Sequence, residues 1–192
     1  MDARFISVII ILLLNAYTSV AQALFDVSIS GRIYFSEPQS VINNLNDIEP
    51  YIYEDSLYHV DVLNKTQRLI LTFHPGDVAN SVSYFDLSYK PDSIPNNHSY
   101  IEVTWPFYTN TGLYLGMSEE SARSLLSVPF TVTFLGEYTQ YSYQLYYYQT
   151  RTGEYVGEPN EFLESYNMPE YSETLIFKNG CLVNIMFGFE YP

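Results

Sequence analysis

Apolar and polar residues alternate with a period of two along most of this chain, and the alternation breaks at Gly, Pro and Asn-Gly positions that mark turns. From Leu24 onward, Phe25, Val27 and Ile29 alternate with Asp26, Ser28 and Ser30, which predicts a strand with one buried face. Gly31 interrupts it and 32–35 resumes. Ser36, Glu37 and Pro38 then carry a helix-start pattern: a hydroxyl cap, an acid near the positive end of the helix dipole and a proline in the first turn. Val41, Ile42 and Leu45 supply the buried stripe of that helix, and Pro50 lies beyond its end. Residues 51–62 predict a tyrosine-rich strand, and 68–86 a hairpin turning near His74-Pro75-Gly76.

A polar stretch with two prolines, 90–97, separates this half from the next. Residues 100–105 read as a strand ended by Pro106. Gly112-Leu-Tyr-Leu-Gly-Met-Ser118-Glu119 then echoes Gly31-Arg-Ile-Tyr-Phe-Ser36-Glu37 with one extra residue. Ser118 is placed to cap a helix with Glu119 and Glu120 in its first turn, Ala122, Leu125 and Leu126 as its apolar stripe, and Pro129 as its stop. Strands follow at 130–135 and 138–148. On the second, Tyr141, Tyr143, Leu145 and Tyr147 share one face, and Gln140, Ser142, Gln144, Tyr146 and Tyr148 share the other. Residues 149–172 form an acidic insertion in which Phe162 and Leu163 anchor a short helical turn. The chain closes on a hairpin at 173–190 around Lys178-Asn179-Gly180, where Asn-Gly tolerates the positive φ of a tight turn.

The two hairpins align without gaps: Phe73, Gly76, Asn80, Phe85 and Asp86 fall on Phe177, Gly180, Asn184, Phe189 and Glu190. In that alignment Ala79, Ser81 and Ser83 oppose the apolar Val183, Ile185 and Phe187, a conflict of burial inside an otherwise good match. The pattern predicts an α+β fold of two tandem helix-plus-antiparallel-sheet modules, 24–90 and 111–192, joined by 91–110. The segment 112–126, Pro129, the tyrosine-rich strand and Leu175-Ile-Phe-Lys-Asn-Gly-Cys-Leu182 together resemble the beta-lactamase-inhibitor-protein-like module, also found in small outer-membrane-assembly lipoproteins. That resemblance covers 112–189 well and 31–86 loosely. It implies helices packed on an antiparallel sheet, tandem copies sharing one concave sheet, and an exported protein that binds other proteins. It transfers no site residue, because the family's contacts lie in variable loops.

Composition narrows the setting. Arg4, the apolar run 5–14 and Ala21-Gln-Ala23 read as a cleavable secretory signal over 1–23, too short to favour a permanent span. Leu24 follows the cleavage site, so no lipid-attachment cysteine is present there, which departs from the lipoproteins. A secreted or periplasmic location follows, with no stable membrane insertion after cleavage. With 47% apolar and 17% aromatic residues the chain can build a large core. Its net charge of −14 disfavours nucleic acid and anionic membrane as partners. The single cysteine, Cys181, excludes an internal disulfide and reads as a half-buried, inert thiol.

Catalytic patterns do not emerge. His59, with Asp61, and His74, with Asp77, match no metal-ligand spacing, His98 stands alone, and no nucleophile elbow, calcium loop or phosphate loop occurs. No catalytic residue, cofactor or metal is assigned. Asn64-Lys-Thr66 and Asn97-His-Ser99 are glycosylation sequons. The aromatics placed for exposure, Trp105, Tyr146 and Tyr148, and the acids Glu154 and Glu158 make the candidate partner-binding set. The chain thus reads as an exported, non-enzymatic protein-binding protein, inhibitor- or scaffold-like. Glycan binding through the surface tyrosines is the alternative, and an enzyme the third.

Overall fold

The computed structural model describes residues 24–45, 51–53, 57–73, 81–92 and 100–190. The proposed signal, the 74–77 turn with His74, the sequon at Asn97 and His98 lie outside them. Among these described residues, twelve strands and three short helices follow in chain order. β1 (Ser28–Ile29) and β2 (Ile33–Tyr34) form a small hairpin, followed by α1 (Pro38–Leu45). Then come β3 (Tyr51–Tyr53), β4 (Leu57–Asn64), β5 (Gln67–Phe73), β6 (Val82–Tyr89) and β7 (Tyr100–Glu102). After α2 (Glu119–Arg123) run β8 (Thr131–Leu135), β9 (Tyr138–Gln149), β10 (Tyr155–Gly157), α3 (Glu161–Tyr166), β11 (Glu170–Lys178) and β12 (Cys181–Glu190).

This is a mostly-β protein built on one ten-stranded mixed sheet, and it overturns the expected α+β pair of helix-plus-sheet modules. The reason is helix length. α1, α2 and α3 span eight, five and six residues, well below the dozen or so that hold a helix without extensive packing. They plug gaps in a covering layer and form no layer of their own. In α1, Val41 and Leu45 are buried while Ile42 points to solvent, one step off the stripe. Ser36 does not cap: it sits at φ 53°, in the turn before the helix. Ser118 does cap α2, accepting from the Ser121 amide at 3.2 Å, but the helix stops before Leu125 and Leu126, which pack onto the core from the following turn. In α3, Asn160 caps, and Phe162 and Leu163 are buried as the sequence predicts.

The sheet order is β10-β9-β11-β12-β6-β5-β4-β3, with β8 also on the outer edge of β9 and β7 also on the outer edge of β4. Every pairing is antiparallel except β4 with β7. The centre is symmetric. β6 and β12 pair Tyr84↔Gly188, Phe85↔Phe187, Asp86↔Met186, Leu87↔Ile185 and Ser88↔Asn184, so exchanging the two strands residue for residue returns the same set of pairs. Each strand carries a β-bulge at the same place: Ser83 is skipped between Phe73↔Val82 and Thr72↔Tyr84, and Val183 between Phe177↔Leu182 and Ile176↔Asn184. The structural equivalence therefore sets Val82, Phe85 and Leu87 against Leu182, Ile185 and Phe187, all buried. The gapless alignment is wrong by four residues in its second strand, because the first hairpin has a longer connection.

One face of the sheet carries the core. Phe25, Ile29, Ile33 and Phe35 from the N-terminal segment, Phe107 and Leu113 from the loop before α2, and Phe162 from α3 cover it. Phe35 sits at the middle, its ring 4.7, 5.6 and 5.0 Å from those of Phe85, Phe187 and Phe189. Such offset and edge contacts add to the burial itself.

Candidate functional site

The least protected element of the sheet is β8. Thr131-Val-Thr-Phe-Leu135 has the β-branched and aromatic content of a strand, and Gly136, at φ 66°, turns it back onto β9. Among the described residues β8 pairs only with β9; all five of its residues are exposed, and none is charged. Natural edge strands are normally blunted by charge, proline or a bulge, because their free N–H and C=O groups template further pairing. β8 has none of these within its length.

Apolar side chains gather there. Five of the eleven exposed large hydrophobic residues among the described residues lie on β8, β9 and β10, namely Val132, Phe134, Leu135, Tyr146 and Tyr155. Phe134 is 78% exposed, the most of any. Cross-strand register puts Val132 opposite Tyr141 and Phe134 opposite Thr139, so both project on the core side of the sheet, beyond the covering layer. β10 occupies the same outer edge of β9 further along, at Tyr147–Gln149, which leaves the edge of 143–146 between β8 and β10 without a strand partner among the described residues. Gly157 closes the far side of this notch. At φ 89° it lies so tightly against Tyr146 that a Cβ would meet the Tyr146 carbonyl oxygen at 1.9 Å, so only glycine fits.

The structure brings together four of the five predicted partner-binding residues. Tyr146 is exposed on the outer face of β9, Glu154 lies in the β9–β10 turn, and Glu158 follows Gly157 at the notch, both acids exposed. Tyr148 is half-buried and lines a shallow recess of about 300 Å³ with Leu163, Asn167, Met168 and Pro169. Trp105 does not join them. It follows β7, which pairs with β4 at the other end of the sheet, and its ring is half-buried beside Phe107 at 5.1 Å with the Arg32 guanidinium over it at 5.6 Å. Its carbonyl accepts from the Asn64 side chain. A strand is expected at β8 and is found there, but reading the surface by its tyrosines and tryptophan left β8 out of the candidate binding set. The available signal was the absence of charge in a strand bounded by Pro129 and Gly136.

Charged groups of both signs border the edge. The Tyr141 hydroxyl donates to Glu119 Oε1 at 2.6 Å, which brings the first turn of α2 to β9 on the core side, and Arg123 also lies beside that hydroxyl. At the β8–β9 turn, Glu137 pairs with Lys178 at 3.1 Å, and the Lys178 ammonium lies over the Tyr138 ring. Cys181 is exposed rather than half-buried, since the tight turn at Asn179-Gly180 lifts it clear of the core.

Two further polar clusters lie elsewhere. On the outer face, Arg68 donates three hydrogen bonds to the fully buried Asp61 at 2.8–3.1 Å. Asp86 accepts from Asn184 at 2.6 Å, and burial raises its pKa against the opposing pull of Asn184 and Arg68. His59 shares this face, its Nδ1 3.1 Å from Thr72 Oγ1. On the core side, Asp26 and Glu173 are buried near one another, and burial pushes both carboxyls up, Asp26 to about 6. Among the described residues no group of three His, Cys, Asp or Glu side chains is placed to hold a metal ion, and no helix is long and apolar enough to cross a membrane. No family model, curated protein or solved structure matches the chain.

Proposed function

We propose that this is an exported, non-enzymatic protein-binding protein that takes an extended segment of its partner onto the open edge of β8. The observation that carries it is the uncharged, fully exposed strand with an unpaired backbone edge and Val132, Phe134 and Leu135 displayed along it. Strand addition derives affinity from main-chain hydrogen bonds and selectivity from alternate side chains. The occupant is a basic segment with apolar residues at alternate positions. A chain of net charge −14 repels a second copy of itself and favours a basic partner. Export rests on the signal-like 1–23 segment, and the resemblance of 112–189 to a family of protein-binding proteins points the same way.

Glycan binding is the weaker reading. Tyr146 faces the outer side of the sheet, whereas Tyr155 stacks on Tyr147 on the core side at 5.4 Å, so the two exposed tyrosines of this edge form no common platform. The test is fluorescence anisotropy with an extended probe peptide of about nine residues that alternates lysine and valine, beside a version with glutamate for lysine. The basic peptide binds, the acidic one does not, and Val132→Lys/Phe134→Lys weakens binding tenfold or more, roughly 1.4 kcal/mol. Both replaced side chains are exposed, so folding is retained. Equal binding by the double variant, or none by wild type, refutes the proposal.

A further inference from the structure

The N-terminal segment is tied to the rest of the molecule through polar groups that would be costly in any core. Asn110 accepts from the Val27 and Ser28 amides at 2.7 and 3.0 Å and donates to the Phe25 carbonyl at 3.0 Å. The Thr111 amide donates to Asp26 Oδ1 at 3.0 Å. From β11, the Tyr171 hydroxyl donates to the Asp26 carbonyl at 2.9 Å and lies 3.2 Å from Glu173 Oε2. Asp26 is fully buried and Glu173 is 4% exposed. Asp26 Oδ2 and the nearby Ser28 Oγ have no hydrogen-bond partner. The titratable groups that face the two carboxyls are Tyr171 and Tyr143, from β11 and β9, and the loop before α2 contributes only Thr109, Asn110 and Thr111. No cation stands beside either acid among the described residues.

We propose that Asp26 and Glu173 form a pH-sensitive latch, which shares a proton while it holds the β1–β2 segment on the sheet and loosens that segment when the pair is fully ionised. Two carboxylates in one dry site cannot both be charged without a large penalty, so one keeps its proton and can donate it to the other. The unpartnered Asp26 Oδ2 is the atom free to take that role. Burial is the main cause of the raised affinity for protons at both groups, and each is raised further or opposed by the neighbours just named. In the loosened state the acids meet water and ionise at ordinary values. Opening therefore releases a proton, and its equilibrium rises about tenfold per pH unit until the closed pair itself ionises. The latch joins the segment leading into β1 to β11, through the Asp26 backbone and the Glu173 side chain. Its loss is felt first by Phe25, Val27 and the β1–β2 hairpin.

Hydrogen exchange read by mass spectrometry on the full chain, at several values between about pH 5 and pH 8, tests this after correction for intrinsic exchange. In wild type, protection of 25–35 falls up to about tenfold per pH unit, starting from a lower level than that of β5 and β6, which follows the global stability alone. Asp26→Asn keeps the acceptor for Thr111 and removes one of the two acids, so its slope is shallower than that of wild type and its protection at pH 8 is higher, while Asp26→Asn/Glu173→Gln, with neither acid left, gives a flat profile. Glu173→Gln gives the same result from the other side and stands in if the first variant does not fold. A flat wild-type profile overturns the latch, as does a wild-type slope that survives in the double variant. Protection restored at pH 8 by calcium alone overturns it too, because the pair would then be a cation site.

Discussion

Arg68 is the cation on which the outer face of the sheet depends, and replacing it isolates the cost of one buried charge. Its guanidinium grips Asp61 through Nε and Nη2 at 2.8–3.1 Å, with Asp61 0% and Arg68 17% exposed at the side chain. Arg68→Met keeps most of the apolar stem across β5 and removes the charge. Taking away one member of a buried pair costs about 3–5 kcal/mol, because the remaining carboxylate stays desolvated. The partial exposure of Arg68 lets water in and sets the expectation at the low end, about 3 kcal/mol. For a chain of this size that is a fall in melting temperature of about 6–12 °C. A second readout is local. Arg68 is one of the groups that pulls the Asp86 pKa down against burial, so in the variant Asp86 titrates higher still. Thermal unfolding followed by circular dichroism measures the first effect, and carboxyl NMR titration the second. The decisive comparison is Asp61→Asn/Arg68→Met, which leaves no buried charge at position 61 and recovers more than half of the loss. If the single variant costs under about 1 kcal/mol, or the double variant is no better, the Asp61 charge is not what Arg68 serves.

The whole protein gains stability on mild acidification. Asp26, Glu173 and Asp86 all have raised pKa values in the fold, so the folded state holds protons that the unfolded state releases. Their favourable contribution is complete below the ordinary carboxylate range and is lost as pH rises through the folded values, about 6 for Asp26. Urea unfolding midpoints are accordingly higher at pH 5 than at pH 8, and Asp26→Asn gains up to about 3 kcal/mol at pH 8 from a shift of roughly two pKa units. A midpoint that falls on acidification to pH 5 contradicts the assignment. Gly180→Ala costs about 1 kcal/mol from its φ of 76° alone, since an added Cβ meets nothing within 4 Å. A chemical denaturation curve showing no loss would mean that the turn relaxes.

The strands were legible wherever the period of two ran unbroken. The two faces of β9, the Asn179-Gly180 turn and the buried pair in α3 follow from alternation, turn chemistry and capping, which act within a few residues. What was not legible depends on distant partners. The parallel pairing of β7 with β4 has no local signature, and neither does the position of β8 at an edge. The reach of the helices was over-read, because an i, i+3, i+4 stripe does not reveal where tertiary contacts end a helix. Glu173 was half visible. It sits in phase with Tyr171, Leu175 and Phe177, an acid on the apolar face of a strand, and that phase alone marks it as a charge the core has to accommodate.

The burial conflict between the hairpins shows how such readings fail and what they still contain. Period-two reasoning assumes that each residue flips the face, and a bulge breaks that assumption by letting two residues share one step. Ser83 and Val183 are those residues, and a connection four residues longer in the first hairpin shifts everything after it. Phe73 and Phe177 align because they precede the connection. Phe85 and Phe189 align by coincidence, since the true counterpart of Phe85 is Ile185, across the symmetric β6–β12 seam. Gly188, opposite Tyr84 in that seam, has no glycine counterpart in β6, where Ser88 stands; a Cβ at Gly188 would meet the Ser83 carbonyl oxygen at 2.3 Å. The backbone register is therefore symmetric while the side-chain packing is not, and a sequence comparison that weighs side chains alone finds the wrong register even when the strands it compares are related by the sheet itself.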